Sequence, residues 1–80
     1  MSIYDPLRDY LVSQRAREFE LSFAQVESIV GGALPQSAHR PQWWANQVAS
    51  GRPQREAWRA AGFDAFLIAG SRKVKFRKVS

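Results

Sequence analysis

Polar and apolar positions fall into short blocks whose period changes along the chain. Leu7, Tyr10 and Leu11 recur at i, i+3 and i+4, which predicts a first amphipathic helix. Asp5 is placed to act as its N-cap, and Pro6 fits the first turn, where a missing N–H is no loss. Gln14-Arg15-Ala16-Arg17 is either the last solvated turn or the loop beyond it. The period then drops to two. Glu18-Phe19-Glu20-Leu21-Ser22 alternates, predicting a short strand with Phe19 and Leu21 inward.

A second helix start follows at once. Ser22-Phe23-Ala24-Gln25 has capping-box spacing, and Leu21 and Val26 are placed as a hydrophobic staple. Phe23, Val26, Ile29 and Val30 form the inward face, and Gly31-Gly32 ends the helix, since glycine accepts a left-handed C-cap. Pro35 and Pro41 forbid one long helix after it, so the chain is expected to make a turn or short helix after each. Ser50-Gly51-Arg52-Pro53 breaks the chain again, and Pro53 opens a helix over 54–61 closed by Gly62. Ala57, Trp58 and Ala61 share one face of it, with Arg52, Arg55 and Arg59 on another. Ala65-Phe66-Leu67-Ile68 then reads as a strand, Gly70-Ser71 as a turn, and Lys73-Val74-Lys75-Phe76-Arg77 as a strand with Val74 and Phe76 inward and its three cations outward. Residues 1–80 thus form a single α+β domain of three to four helices, a short strand and a C-terminal β-hairpin.

Charge changes this picture more than composition does. Residues 1–34 hold three cations against five anions; residues 35–80 hold nine against two. That asymmetry is expected of a chain with one face toward a polyanion. Cysteine is absent, which excludes a thiol nucleophile, an iron–sulfur cluster and a cysteine-based zinc site, and points to a cytoplasmic location for so small a domain. No apolar run approaches the roughly 20 residues of a membrane span, and Met-Ser-Ile-Tyr-Asp-Pro lacks the layout of a signal peptide. His39 is the lone histidine, with no matched ligand set and no partner nucleophile, and Gly31-Gly32 lacks the Lys-Ser/Thr of a phosphate loop. No enzymatic activity, metal or cofactor is expected.

The remaining chemistry is binding chemistry. Arg52, Arg55 and Arg59 on the last helix and Arg72, Lys73, Lys75 and Arg77 on the hairpin are candidates for phosphate contact. The plainer reading of the hairpin row is a solvated strand whose lysines guard a sheet edge. Gln36, Ser37, His39, Arg40, Gln42, Asn46 and Gln47 carry groups suited to base edges. Trp43 and Trp44 are adjacent, and a regular helix or strand cannot turn both into one core. One is expected inside and the other as a lid or a partly exposed stacking surface.

The order helix, strand, helix pair, hairpin resembles a winged helix-turn-helix domain over essentially the whole chain. Arg55-Glu56-Ala57-Trp58-Arg59-Ala60-Ala61-Gly62-Phe63 resembles the end of a recognition helix leading into the first wing strand, which implies Ser71, Arg72 and Lys73 at the wing tip. Residues 33–51 exceed the usual tight turn between the two central helices, which leaves open the helix that enters a groove. The spacing Ser22-Phe23, Leu34-Pro35-Gln36-Ser37-Ala38, Trp43-Trp44-Ala45-Asn46 and Trp58-Arg59-Ala60-Ala61-Gly62 is also similar to that of small, mostly uncharacterised bacterial domains. The winged-helix resemblance implies duplex-DNA binding by a transcriptional regulator or a nucleoid-associated factor. The alternatives are an adaptor in which the Trp-rich segment docks a protein partner or a second copy, and a single-stranded nucleic-acid binder that stacks bases on Trp.

Overall fold

The computed structural model describes residues 3–44, 53–68 and 70–79. Helix α1 spans Asp5–Val12, strand β1 Glu18–Ser22 and helix α2 Phe23–Val30. Two single-turn 3-10 helices follow, Gln36–His39 and Pro41–Trp44, and then α3 Pro53–Ala60, β2 Phe63–Ile68 and β3 Lys73–Lys78. The three strands form one antiparallel sheet in the order β1-β3-β2, so the last strand is the central one. The fold is α+β, and its order of elements and C-terminal hairpin are winged-helix-like.

Most local signals act where the chain places them. Ser22 Oγ accepts from Gln25 N at 3.1 Å and Gln25 Oε1 accepts from Ser22 N at 2.8 Å, closing both halves of the capping box. Leu21 and Val26, the two staple positions, are both buried. Gly31 ends α2 with φ +76°, a conformation an L side chain adopts only at a cost. The start of α1 differs from expectation. Tyr4 occupies the cap position and Asp5 is already helical, with no side-chain cap bond. Tyr4 is buried, with its ring 5.8 Å from that of Trp43 in an edge-on contact, so core packing sets this end of the helix. Arg15 and Arg17 fall in the loop beyond α1. The third helix ends at Ala60, one residue early, and β2 begins at Phe63, two residues early, because Phe63 and Ala65 are both core positions.

One aromatic core joins the helices to the sheet, and it corrects the expectation for the paired tryptophans. Trp43 and Trp44 are both buried, at 8% and 1% exposure. They stand edge-on to each other, with centroids 4.6 Å apart and planes 75° apart. Trp43 meets Tyr4 at the cap of α1, while Trp44 stacks on Phe23 and Trp58 and abuts Phe76 of the central strand. Both rings find apolar partners because their turn sits among α1, α3 and the sheet. A regular helix or strand on the surface of a core has apolar partners on one side only, whereas this turn has them on several. Trp44 Nε1 donates to Ala38 O at 2.7 Å, which satisfies the indole N–H and fixes the preceding turn. Gln54, also buried, extends Nε2 to Trp43 O at 3.4 Å.

Candidate nucleic-acid interface

The outward cations of β3 are where the alternation placed them, but Lys75 and Arg77 are not free. Cross-strand register sets three rows on the outer face: Glu18–Arg77–Asp64, Glu20–Lys75–Phe66 and Ser22–Lys73–Ile68. Three carboxylates therefore stand among three cations. Glu18 Oε1 accepts from Arg77 Nε at 3.2 Å, and Glu18 Oε2 lies 3.5 Å from Lys75 Nζ. The Arg77 hydrogen bond and the Lys75 charge hold the Glu18 carboxyl below its ordinary range. Arg77 is held from the other side as well, with its guanidinium carbon 5.4 Å from the centre of the exposed Phe66 ring.

The arginine stripe on α3 is likewise reduced. Arg59 Nη1 donates to Asp64 Oδ1 at 2.7 Å, tying the end of the helix to β2. Arg55 is half-buried, Glu56 is exposed on the same helix, and Arg52 lies outside the described residues. Asn46 and Gln47 also lie outside them. The described part of α3 thus presents mixed charge.

The fold instead gathers positive charge at the hairpin end of the sheet. Glu27 Oε2 accepts from Leu34 N at 2.8 Å, anchoring the chain as it leaves α2, and Pro35 then opens the Gln36–His39 turn. That turn is pinned from within by the Trp44–Ala38 bond, and His39 packs edge-on against Phe23, with centroids 5.3 Å apart. Phe23 N donates to Arg72 O at 2.8 Å, drawing the hairpin turn toward the start of α2. Ser71 N and Oγ both donate to Ile68 O, which fixes the turn itself.

Between these two segments lies an open cleft of about 470 Å³ lined by His39, Pro41, Leu67, Ile68, Gly70, Ser71 and Arg72. A second hollow of about 500 Å³, lined by Gln36, Ser37, His39 and Arg40, shares the His39 wall. Among the described residues, no carboxylate lines either one. Arg40, Arg72 and Lys73 are exposed and have no ion pair among the described residues. Lys73 also belongs to the one outer row without an acid.

Of the candidate residues read from the sequence, Gln36, Ser37, His39, Arg40, Arg72 and Lys73 gather at this end, and Gln42 is exposed on the neighbouring turn. Lys75, Arg77 and Arg59 are engaged elsewhere. What the sequence reading missed was Glu18, whose effect depends on β1 lying beside β3. Its signal was the matching alternation of Glu18-x-Glu20 and Lys73-x-Lys75-x-Arg77. Among the described residues there is no group of His, Asp and Glu able to hold a metal ion, and no helix is long and apolar enough to cross a membrane.

An α+β domain with a C-terminal hairpin and a cationic end is the class that the geometry defines. By its sequence, the chain belongs to the family described as Domain of unknown function (DUF7662), whose model matches residues 4–80. Neither a curated protein nor a solved structure matches it significantly.

Proposed function

We propose that this protein binds duplex DNA through the hairpin end of its sheet, as a chromosome-associated factor rather than a sequence-reading regulator. The observation that carries this reading is that Arg40 and Arg72 each line one of two hollows sharing the His39 wall, with exposed Lys73 next to Arg72 at the start of β3 and no carboxylate among the described lining residues. Cations without internal partners exchange condensed counterions for phosphates with little competition from the protein's own acids. The hairpin turn, held by Phe23 and Ile68, acts as a small wing on the backbone. Gln36, Ser37 and Gln42 are exposed beside it and give modest groove contact. Weak sequence preference follows from the described face of α3, where Glu56 is exposed and Arg59 is committed to Asp64. Stacking of bases on tryptophan and docking of a partner on the Trp-rich segment both lose their support, because the two rings lie inside the core.

The test is equilibrium binding to duplex and single-stranded DNA of mixed sequence at a series of salt concentrations. Duplex binding is expected to weaken with salt. The Arg40→Ala/Arg72→Ala/Lys73→Ala variant should lower the logarithmic salt slope by roughly 3, at about 0.9 per phosphate contact. Salt-independent binding, preference for the single strand, or an unchanged slope in the variant would overturn the reading.

A further inference from the structure

The far end of the sheet carries a second cationic cluster that the hairpin-end reading leaves unused. Arg15 and Arg17 are exposed in the loop between α1 and β1, and Lys78 is exposed at the end of β3. Lys78 N donates to Arg17 O at 2.6 Å, so the loop and the strand end are locked side by side. None of the three has an ion pair among the described residues. Of the carboxylates near them in sequence, Glu18 pairs with Lys75 and Arg77 and Asp9 with Arg8, while Glu20 stands opposite Lys75 on the outer face of the sheet.

The two clusters lie at opposite ends of β3. Lys73 and Lys78 are separated by about 17 Å at the usual strand rise, in a molecule measuring 27 × 25 × 25 Å. Between them runs the belt of Glu18, Glu20 and Asp64 among Lys75 and Arg77. A single duplex laid along the outer face to reach both ends would press three carboxylates against its phosphates. Two separate duplexes, one at each end, avoid that contact.

We propose that Arg15, Arg17 and Lys78 form a second phosphate-backbone site, so that one molecule bridges two DNA segments. This rests on the duplex-binding reading and extends it from one contact surface to two.

The experiment joins two duplexes, one on beads and one labelled in solution, at protein concentrations where sedimentation shows a monomer. The wild-type protein retains the labelled duplex on the beads. Arg15→Ala/Arg17→Ala/Lys78→Ala binds a single duplex but loses at least tenfold in retention. The Arg40→Ala/Arg72→Ala/Lys73→Ala variant also fails to bridge, yet keeps residual duplex binding with a salt slope of about 2–3, from the far cluster alone. A wild-type protein that binds duplex without retaining the second one overturns bridging and leaves the hairpin-end reading standing. Undiminished retention by the Arg15/Arg17/Lys78 variant also overturns it, since both contacts would then use the hairpin end. Loss of all binding in the hairpin-end variant removes the second site, and a wild-type protein that binds no duplex removes both proposals.

Discussion

Glu18 accepts a hydrogen bond from Arg77 across the β1–β3 pair, Oε1 to Nε at 3.2 Å, and its other oxygen faces Lys75. One carboxylate thus decides how much of the hairpin's charge is available. Glu18→Gln keeps the shape and removes the anion. It is expected to strengthen duplex binding and to raise the salt slope by about 1–2, as Lys75 and Arg77 become free to meet phosphates. The pH dependence follows from the depressed carboxyl. Its folded value lies below its unfolded one, so the stabilisation is present above the ordinary Glu range. It is lost as pH falls through the folded value. Wild-type and Glu18→Gln stabilities should therefore converge in acid, as seen by denaturation at a series of pH values. A difference that grows on acidification would show that the pair does not stabilise the fold.

The elements were legible where local chemistry decides them. The capping box at Ser22, the left-handed glycine at 31 and the alternation of β3 each carry their own physical reason within a few residues. The burial of Gln54 was not read from the sequence, although the residue lies one turn before Ala57 and Trp58 on the same face. The charge balance of the outer face was not legible. It depends on which strand lies beside which, and the sheet order β1-β3-β2 joins segments far apart in the chain. The same limit applied to Trp43 and Trp44, whose burial depends on elements that come together on three sides of one turn.

Trp44→Phe tests how the core holds the site. The ring volume is largely kept, but the carbonyl of fully buried Ala38 loses its indole donor. The expected cost is about 1–3 kcal/mol, that of a buried acceptor left unsatisfied. The Gln36–His39 turn loosens, so duplex affinity drops by more than the stability loss alone explains. Amide exchange across residues 36–40 would register this. Unchanged protection there would mean that the turn is held by other contacts.

Trp58 is fully buried and stacks against Trp44 with centroids 5.4 Å apart. Trp58→Ala is expected to cost about 3–5 kcal/mol, a large part of the total stability of so small a domain. Wild-type tryptophan fluorescence should be blue-shifted and poorly quenched by acrylamide, because all three indoles are enclosed. Efficient quenching of the folded protein would contradict that enclosure.

Ser22→Ala removes the side-chain half of the capping box and leaves Gln25 N without its acceptor. The expected loss is about 1 kcal/mol. Ser22 also ends β1 and lies opposite Lys73, but its side chain contributes no charge there. Duplex binding should therefore follow the folded fraction alone. A denaturation midpoint equal to that of the wild type would count against the cap.

Tyr4 is buried at the α1 cap, and desolvation raises its phenol above the ordinary value of 10.0. The unfolded chain ionises first. The fold's advantage is complete below about pH 10 and is lost as pH rises through the folded value. Tyr4→Phe removes this alkaline dependence. Above the ordinary tyrosine range the wild type should therefore lose stability relative to Tyr4→Phe, as read from denaturation at a series of pH values, and a difference independent of pH would show that the hydroxyl is solvated.

Lys73 and Lys75 lie on one strand face, two residues apart, and differ chiefly in their neighbours. Lys73 sits between Ser22 and Ile68, whereas Lys75 sits beside Glu20 and within 3.5 Å of Glu18. For an exposed cation, the phosphate contact adds about 0.9 to the salt slope. Lys73→Ala should therefore lower the slope by about 1 and weaken binding to all duplex sequences alike, because an ammonium acts as a point charge with little base information. Lys75→Ala should leave the slope nearly unchanged, since its charge is already matched within the protein. Single substitutions measured in the same salt series separate the two. Equal losses would mean that Glu18 gives up Lys75 when DNA binds, so that the whole outer face, rather than the hairpin end, meets the backbone. A sequence-selective loss at Lys73 would mean that the hairpin turn reads bases, and would favour a regulator over a chromosome-associated factor.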